Sequence, residues 1–452
     1  MRRAHALMAA VATLVGLAVP PVAAEIVVRV PQDQPTLSAA VTAVPSGGTI
    51  ELAAGTYSSP TQGFQLSNLA KGFTMRAAAN ALVYLDGGNA RPVLRIENSS
   101  LANGRPIVFE NLVFRNGSSS IAGVAGGVTL RRGEATFVDC AFENNQRLET
   151  SLTEIAGGGI GVSLDARAFF LRALFTDNRS KNNGAGLSVS SNAVAYLHQS
   201  EFYANRTDVA SHRNTAAGGA ISVVNAKLFV TNSRFEGNRA GYVGGAIYGL
   251  GSWLNPVGIP STEIWIANSS FVANEATPNG VVTPGPTEAG AVHAEDQTTV
   301  RIYHSRFQHN RSEVGAAVNN YRGIVEIEES VFIGNSVDGS GAGGFGGTLS
   351  VISNDTSSID PDRRSGSLTL RRSYLRGTDP PTVVFAAEAA GCIFASGDQL
   401  RRMGIVTPQG NAASTRATVV IEDVLLDDCD VSNSSQARGG GFDFYLTAAT
   451  LD

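Results

Sequence analysis

Between residues 135 and 335 the chain repeats one spacing of apolar positions seven times. Ala135, Ala168, Ala195, Leu228, Ile264, Val300 and Val325 form a first column. Two residues on, Phe137, Phe170, Leu197, Val230, Ile266, Ile302 and Ile327 form a second. The positions between them vary freely in chemistry: Thr136, Phe169, Tyr196, Phe229, Trp265, Arg301 and Glu326. This period of two predicts a short strand with one face in a core. Five residues beyond the second column, each unit writes Phe-x-x-Asn, at Phe142/Asn145, Phe175/Asn178, Phe202/Asn205, Phe235/Asn238, Phe271/Asn274, Phe307/Asn310 and Phe332/Asn335. Intervals of about 25 to 36 residues mark stacked supersecondary units.

A second strand is predicted after the small-residue pairs, as in Gly158-Gly159-Ile160, Gly218-Gly219-Ala220-Ile221, Gly244-Gly245-Ala246-Ile247 and Gly315-Ala316-Ala317-Val318. Two or three strands per unit, with no helix between them, lead to a parallel β-helix. Like residues then stack on like, and the asparagines are expected to form an internal ladder, because a buried amide without partners is costly. The repeat runs through, so residues 61–452 are expected to be one continuous domain.

Gly-Gly-Ala-Ile together with Phe-x-x-Asn resembles the repeats of polymorphic outer-membrane proteins and, more broadly, the right-handed β-helices of the pectin-lyase-like superfamily. Residues 26–57, within an N-terminal segment 25–60, resemble the start of that superfamily: a strand at Ile26 to Val30, a cap helix at Pro35 to Val44, then Gly48-Thr49-Ile50-Glu51-Leu52 and Gly55-Thr56-Tyr57. Leu85-Asp86-Gly87-Gly88 continues the pattern. The resemblance implies an all-β chain, a single-stranded right-handed parallel β-helix with a short N-terminal cap helix. It leaves the chemistry open, because the superfamily includes lyases, hydrolases, adhesins and autotransporter passengers. The Asn-Thr-Asp, Gly-His-Gly and Arg-Ile-Lys motifs shared by its hydrolases do not occur, and Arg301-Ile302-Tyr303 is the nearest approach.

Arg2 and Arg3, the apolar run Ala6 to Val19 and Val22-Ala23-Ala24 read as a cleaved signal over residues 1–24. No segment approaches the length of a transmembrane helix, and the C-terminal stretch lacks the long alternating strands of a translocating barrel. A secreted or periplasmic product is therefore expected. Fifty glycines and 16% charged residues suit a turn-rich solenoid, while a net charge of -5 offers no broad basic field for nucleic acid. Cys140, Cys392 and Cys429 are each placed two residues before a core position, in one small-residue stack. A bond between neighbouring coils and buried free thiols both fit that placement.

No familiar catalytic or phosphate-loop signature is present. Gly341 to Gly346 spells a dinucleotide fingerprint without the strand and helix its mechanism needs. Catalysis is expected, if anywhere, from Arg301, Tyr303, Glu326 and Glu328, outward on adjacent coils, which offer charge and proton transfer. Asn354, Asp355, Asp360 and Asp362 offer oxygen ligands for Ca²⁺, or form a solvated turn. The most unusual feature is a column of rings, Phe169, Tyr196, Phe229 and Trp265. Such a stripe suits stacking of sugar rings or an apolar partner, unless the insertion Leu250 to Thr262 folds over it. Tyr248, His293 and Asn319 are placed on outward positions of the second strand as a secondary surface cluster. Loops at 146–156, 206–217 and 275–289, carrying Glu149, Glu154, Asp208, His212, Arg213 and Glu288, are expected along one edge. Two functions follow: a binding or adhesion module for polysaccharide or a cell-envelope partner, and a polysaccharide lyase or glycoside hydrolase with an unfamiliar site.

Overall fold

A computed structural model describes residues 25–98, 106–149, 156–208, 216–251, 261–277, 287–337, 347–352, 366–377, 392–396, 417–427, 429, 442–445 and 447–451. Within them, strands alternate in a fixed cycle. After Glu134–Val138 come Ala141–Glu143, Gln146–Arg147 and Ile160–Ser163, and the next coil begins at Arg167–Leu171. Each strand pairs in parallel with its counterpart one coil away, giving four sheets of 14, 12, 8 and 12 strands among the described residues. We call them I to IV in the order the coil visits them. A chain that climbs by one parallel strand per turn on every side is a parallel β-helix. Sheet III adds a strand of only two residues per coil that the sequence pattern did not reveal.

Both predicted columns face inward. Ala135, Ala168, Ala195 and Leu228 pair in register, as do Phe137, Phe170, Leu197 and Val230, all buried. The repeat phenylalanines stack along sheet II, with centroids 4.6 Å apart for Phe142 and Phe175 and 4.3 Å for Phe175 and Phe202. The asparagine ladder is complete from Asn145 to Asn335. Asn205 Nδ2 donates to Asn238 Oδ1 (3.0 Å) and to the Phe175 carbonyl (2.9 Å), while Asn205 Oδ1 accepts from the Asn178 backbone and side chain. Every donor and acceptor of the amide is used, which removes the cost of burying it. Between sheets I and II a single residue in the left-handed region turns the corner, at Asp139 (φ 51), Arg172 (φ 52), Gln199 (φ 52) and Asn232 (φ 52).

The N-terminal end is closed by α1, Leu37–Ala43, slightly shorter than the predicted span. Thr36 caps it, its Oγ1 accepting from the Ala39 N–H at 3.2 Å, and Leu37, Ala40 and Val41 point into the core. At the other end Cys392 and Cys429 form a disulfide with Cα atoms 5.3 Å apart, while Cys140 is buried and free. The placement of all three in one stack is corrected here. Leu426 follows Phe332 and Leu375 in the phenylalanine column, so Cys429 takes the slot of the ladder asparagines. Cys392 precedes Ile393, in the small-residue slot of Thr348, Ala317 and Ala291 that abuts the ladder. The bond thus closes the solenoid across its interior, between two different columns. The signal segment 1–24, the acidic loop with Asn354, Asp355, Asp360 and Asp362, and Gly341 to Gly346 lie outside the described residues.

Candidate functional site

Alternation on sheet I leaves every second side chain pointing away from the core. Register places Thr136, Phe169, Tyr196, Phe229, Trp265, Arg301 and Glu326 in one outward column. The rings stack nearly parallel: Phe169 on Tyr196 at 4.8 Å and 4°, Tyr196 on Phe229 at 5.0 Å and 9°, Phe229 on Trp265 at 6.5 Å and 23°. All four are half-buried, each covered by its neighbours and open on its outer side. Tyr303, diagonal to Trp265, adds a fifth ring at 6.3 Å. The Arg301 guanidinium lies over Trp265, 4.6 Å from the ring, and ends the ribbon. In the insertion proposed as a cover, residues 252–260 lie outside the described residues.

The four catalytic candidates come together as a patch two positions wide and two coils deep, Arg301 and Tyr303 above Glu326 and Glu328. Their charges are already engaged. Arg301 Nε donates to Glu326 Oε2 at 2.8 Å, and Glu328 is paired with Arg372. Burial, reinforced by the Glu326 carboxylate, raises the Tyr303 phenol above its ordinary value, so it keeps its proton at neutral pH. The patch therefore offers a guanidinium and a phenol to a ligand more readily than it offers a general base.

Tyr248, His293 and Asn319 do share an outward column of sheet IV, but they are buried, at 1%, 1% and 0% exposure. The expectation of a surface cluster is corrected. The chain entering sheet IV from sheet III doubles back over its outer face, where Val243, Glu288 and Val314 form parallel bridges with one another. Ala217, Val243 and Tyr248 pack under this strap with Tyr242 and Leu250. Glu288 and Glu295 complete the cluster. Tyr248 Oη donates to Glu295 Oε2 (2.8 Å), Asn319 Nδ2 donates to Glu288 Oε2 (2.6 Å), and His293 lies 3.7 and 3.8 Å from the two carboxylates. Burial drives the His293 imidazole down to about 3, so it is neutral across the physiological range. The Tyr248 phenol is pushed well up by burial and by Glu295.

The edge loops are only partly described. Glu149 holds the buried Arg147 at 2.6 Å, a structural contact, and Asp208 lies 3.6 Å from Arg206. Glu154, His212 and Arg213 lie outside the described residues. Among the described residues no group of three or more His, Cys, Asp or Glu could hold a metal ion, and no helix is long and apolar enough to cross a membrane.

No family model matches the chain. A Dictyostelium discoideum metabotropic glutamate receptor-like protein R is 27% identical over 201 residues, 43% of this chain, which spans about a tenth of that protein's length (11%). Among solved structures, a GH87 α-1,3-glucanase catalytic domain in complex with nigerose aligns over 96% of this chain and 69% of its own, at 10% identity and TM-score 0.40. Pectate lyase Pel9A aligns over 89% and 72%, at 14% identity and TM-score 0.31. The A-module of the Azotobacter vinelandii mannuronan C-5 epimerase aligns over 90% and 91%, at 10% identity and TM-score 0.31. At such scores these likenesses add nothing to what the strand pairing already states, and on its own four parallel ladders the chain is a parallel β-helix protein.

Proposed function

We propose that the chain is an exported binding module whose sheet I face carries a polysaccharide, free or displayed on a cell envelope, along the ring column. One observation carries this reading: four stacked rings in register, half-open to solvent along their outer edges, ending under a guanidinium. At the coil rise the column is roughly 15 Å long. The open outer edges of the stacked rings form an apolar ribbon against which the apolar faces of sugars can pack, and Arg301 and the Tyr303 hydroxyl supply polar contacts at one end. The disulfide Cys392–Cys429 supports an oxidising compartment. The test is retention on a panel of neutral and uronate polysaccharides. Tyr196→Ala with Trp265→Ala is expected to lower affinity at least about tenfold and to leave the melting temperature close to that of the wild type. Undiminished retention by the double variant, or loss of fold, would defeat the platform.

A second reading, a polysaccharide lyase or glycoside hydrolase, draws on the patch of Arg301, Tyr303, Glu326 and Glu328 lying at the end of the same column. A polymer stacked on the rings would place its next sugar there. Release of unsaturated or reducing ends from the retained polysaccharides, lost in Tyr303→Phe, is the outcome that favours it.

A further inference from the structure

Sheet III presents one outward side chain per coil, because each of its strands has two residues and the second points inward. Register places Gln146, Arg179, Arg206, Arg239, Glu275, Arg311 and Ser336 in that outward column. Three consecutive coils therefore carry arginine directly opposite arginine. Arg179 and Arg206 are exposed and Arg239 is half-buried. Like charges directly opposite one another on a sheet are destabilising, and among the described residues few groups offset them. Asp208 lies 3.6 Å from Arg206, Arg239 donates to Thr277 Oγ1 at 2.8 Å, and Glu275 follows only on the fourth coil. The exposed Lys181 adds a further cation beside Arg179. The net charge of the whole chain is -5, so this strip is a local feature.

We propose that this arginine column is an attachment strip for a linear anionic polysaccharide, separate from the aromatic face. Guanidinium forks spaced by one coil rise, about 4.8 Å, match a polymer bearing one carboxylate or sulfate per sugar, because a pyranose advances its chain by about the same step. Arg is suited to both groups through paired N–H donors. The strip is one side chain wide and has no ring in its column, which disfavours nucleic acid, where bases need stacking partners. Sheets I and III are separated around the coil by sheet II on one side and sheet IV on the other, so the two faces engage different chains.

The test uses the full chain and stepped salt elution from immobilised dextran sulfate and polygalacturonate. Wild type is expected to be retained at low salt, and Arg179→Gln/Arg206→Gln/Arg239→Gln to elute much earlier, with at least about tenfold weaker binding. A charge-matched control, Arg371→Gln/Arg372→Gln/Arg376→Gln, is expected to elute with wild type, and all variants to keep cooperative unfolding. The strip variant should keep whatever retention wild type shows on neutral polysaccharides, which separates this strip from the aromatic platform. Retention on one resin alone assigns sulfate or carboxylate. No retention of wild type on either resin, equal elution of the strip variant and wild type, equal loss in the control, or equally tight binding of a single-stranded oligonucleotide would overturn the proposal.

Discussion

The outward columns of sheets I and IV are built by the same alternation, yet one is open and the other sealed. Sheet I shows rings to the outside, Phe169 to Trp265. Sheet IV shows Ser188, Ser222, Tyr248, His293, Asn319 and Ser350 to a strap that buries them all. Hydrophobicity is thus inverted: the apolar column is half-exposed and the polar one is interior. Outward from the core and exposed to water are different properties. The first is set by a strand's own period and the second by whatever the connecting chain lays over it.

Substitution should separate the two faces. Tyr248→Ala removes a ring fully enclosed under the strap and is expected to destabilise by about 3–5 kcal/mol, whereas Tyr196→Ala, on the open column, should cost under about 1 kcal/mol. Similar losses in denaturant midpoint for both would erase the distinction. Asn238→Leu provides an interior reference. It leaves the Asn205 backbone N–H and side-chain amide without their shared acceptor, and the Asn274 carboxamide oxygen and the Phe202 carbonyl each without the Asn238 side-chain donor, an expected loss of about 1–3 kcal/mol. An unchanged midpoint would remove the ladder from the account of stability.

Acid should also tell the faces apart. His293 is held to about 3 in the folded chain, against an unfolded value near 6.5. Between those values the unfolded chain holds a proton that the folded one refuses. The stability is therefore full above about pH 6.5 and falls on acidification, by up to about 1.4 kcal/mol per pH unit from this group. His293→Gln should flatten that part of the stability profile, and a profile with undiminished slope would mean that other groups carry it. The smallest effect is expected at Arg301→Gln. It loses an ion pair and a cation over Trp265, both part-exposed, for under about 1 kcal/mol. A shift in Trp265 emission with little change in unfolding midpoint is the expected result, and a large fall in midpoint would show the open face to be structural.

What could be read from the sequence was what repeats. The inward columns, the phenylalanine stack and the asparagine ladder were legible because identical neighbours must satisfy one another, and the ring column followed from counting one residue between two core positions. The cover on sheet IV was not legible. It depends on Val243, Glu288 and Val314, which sit in connections of differing length and mix valine with glutamate. The pairing of Cys392 with Cys429 was within reach, but its slots were misread, because Leu426 had replaced the marker phenylalanine. Sheet III escaped for a simpler reason: two residues, such as Arg179 and Ser180, are too few to display a period.

The asparagine ladder also gives the molecule a direction and a unit of growth. Each carboxamide hands its N–H to the coil above and receives one from the coil below, all in the same sense, from Asn145 to Asn335. A whole coil presents the same polar surface at its top as the coil beneath it. Duplicating or deleting one complete unit would therefore leave every asparagine-to-asparagine contact of the ladder chemically unchanged, whereas a cut within a unit would not. Length in this architecture is modular, and the number of stacked units is a ruler that sets how far any row of side chains on the outside can reach.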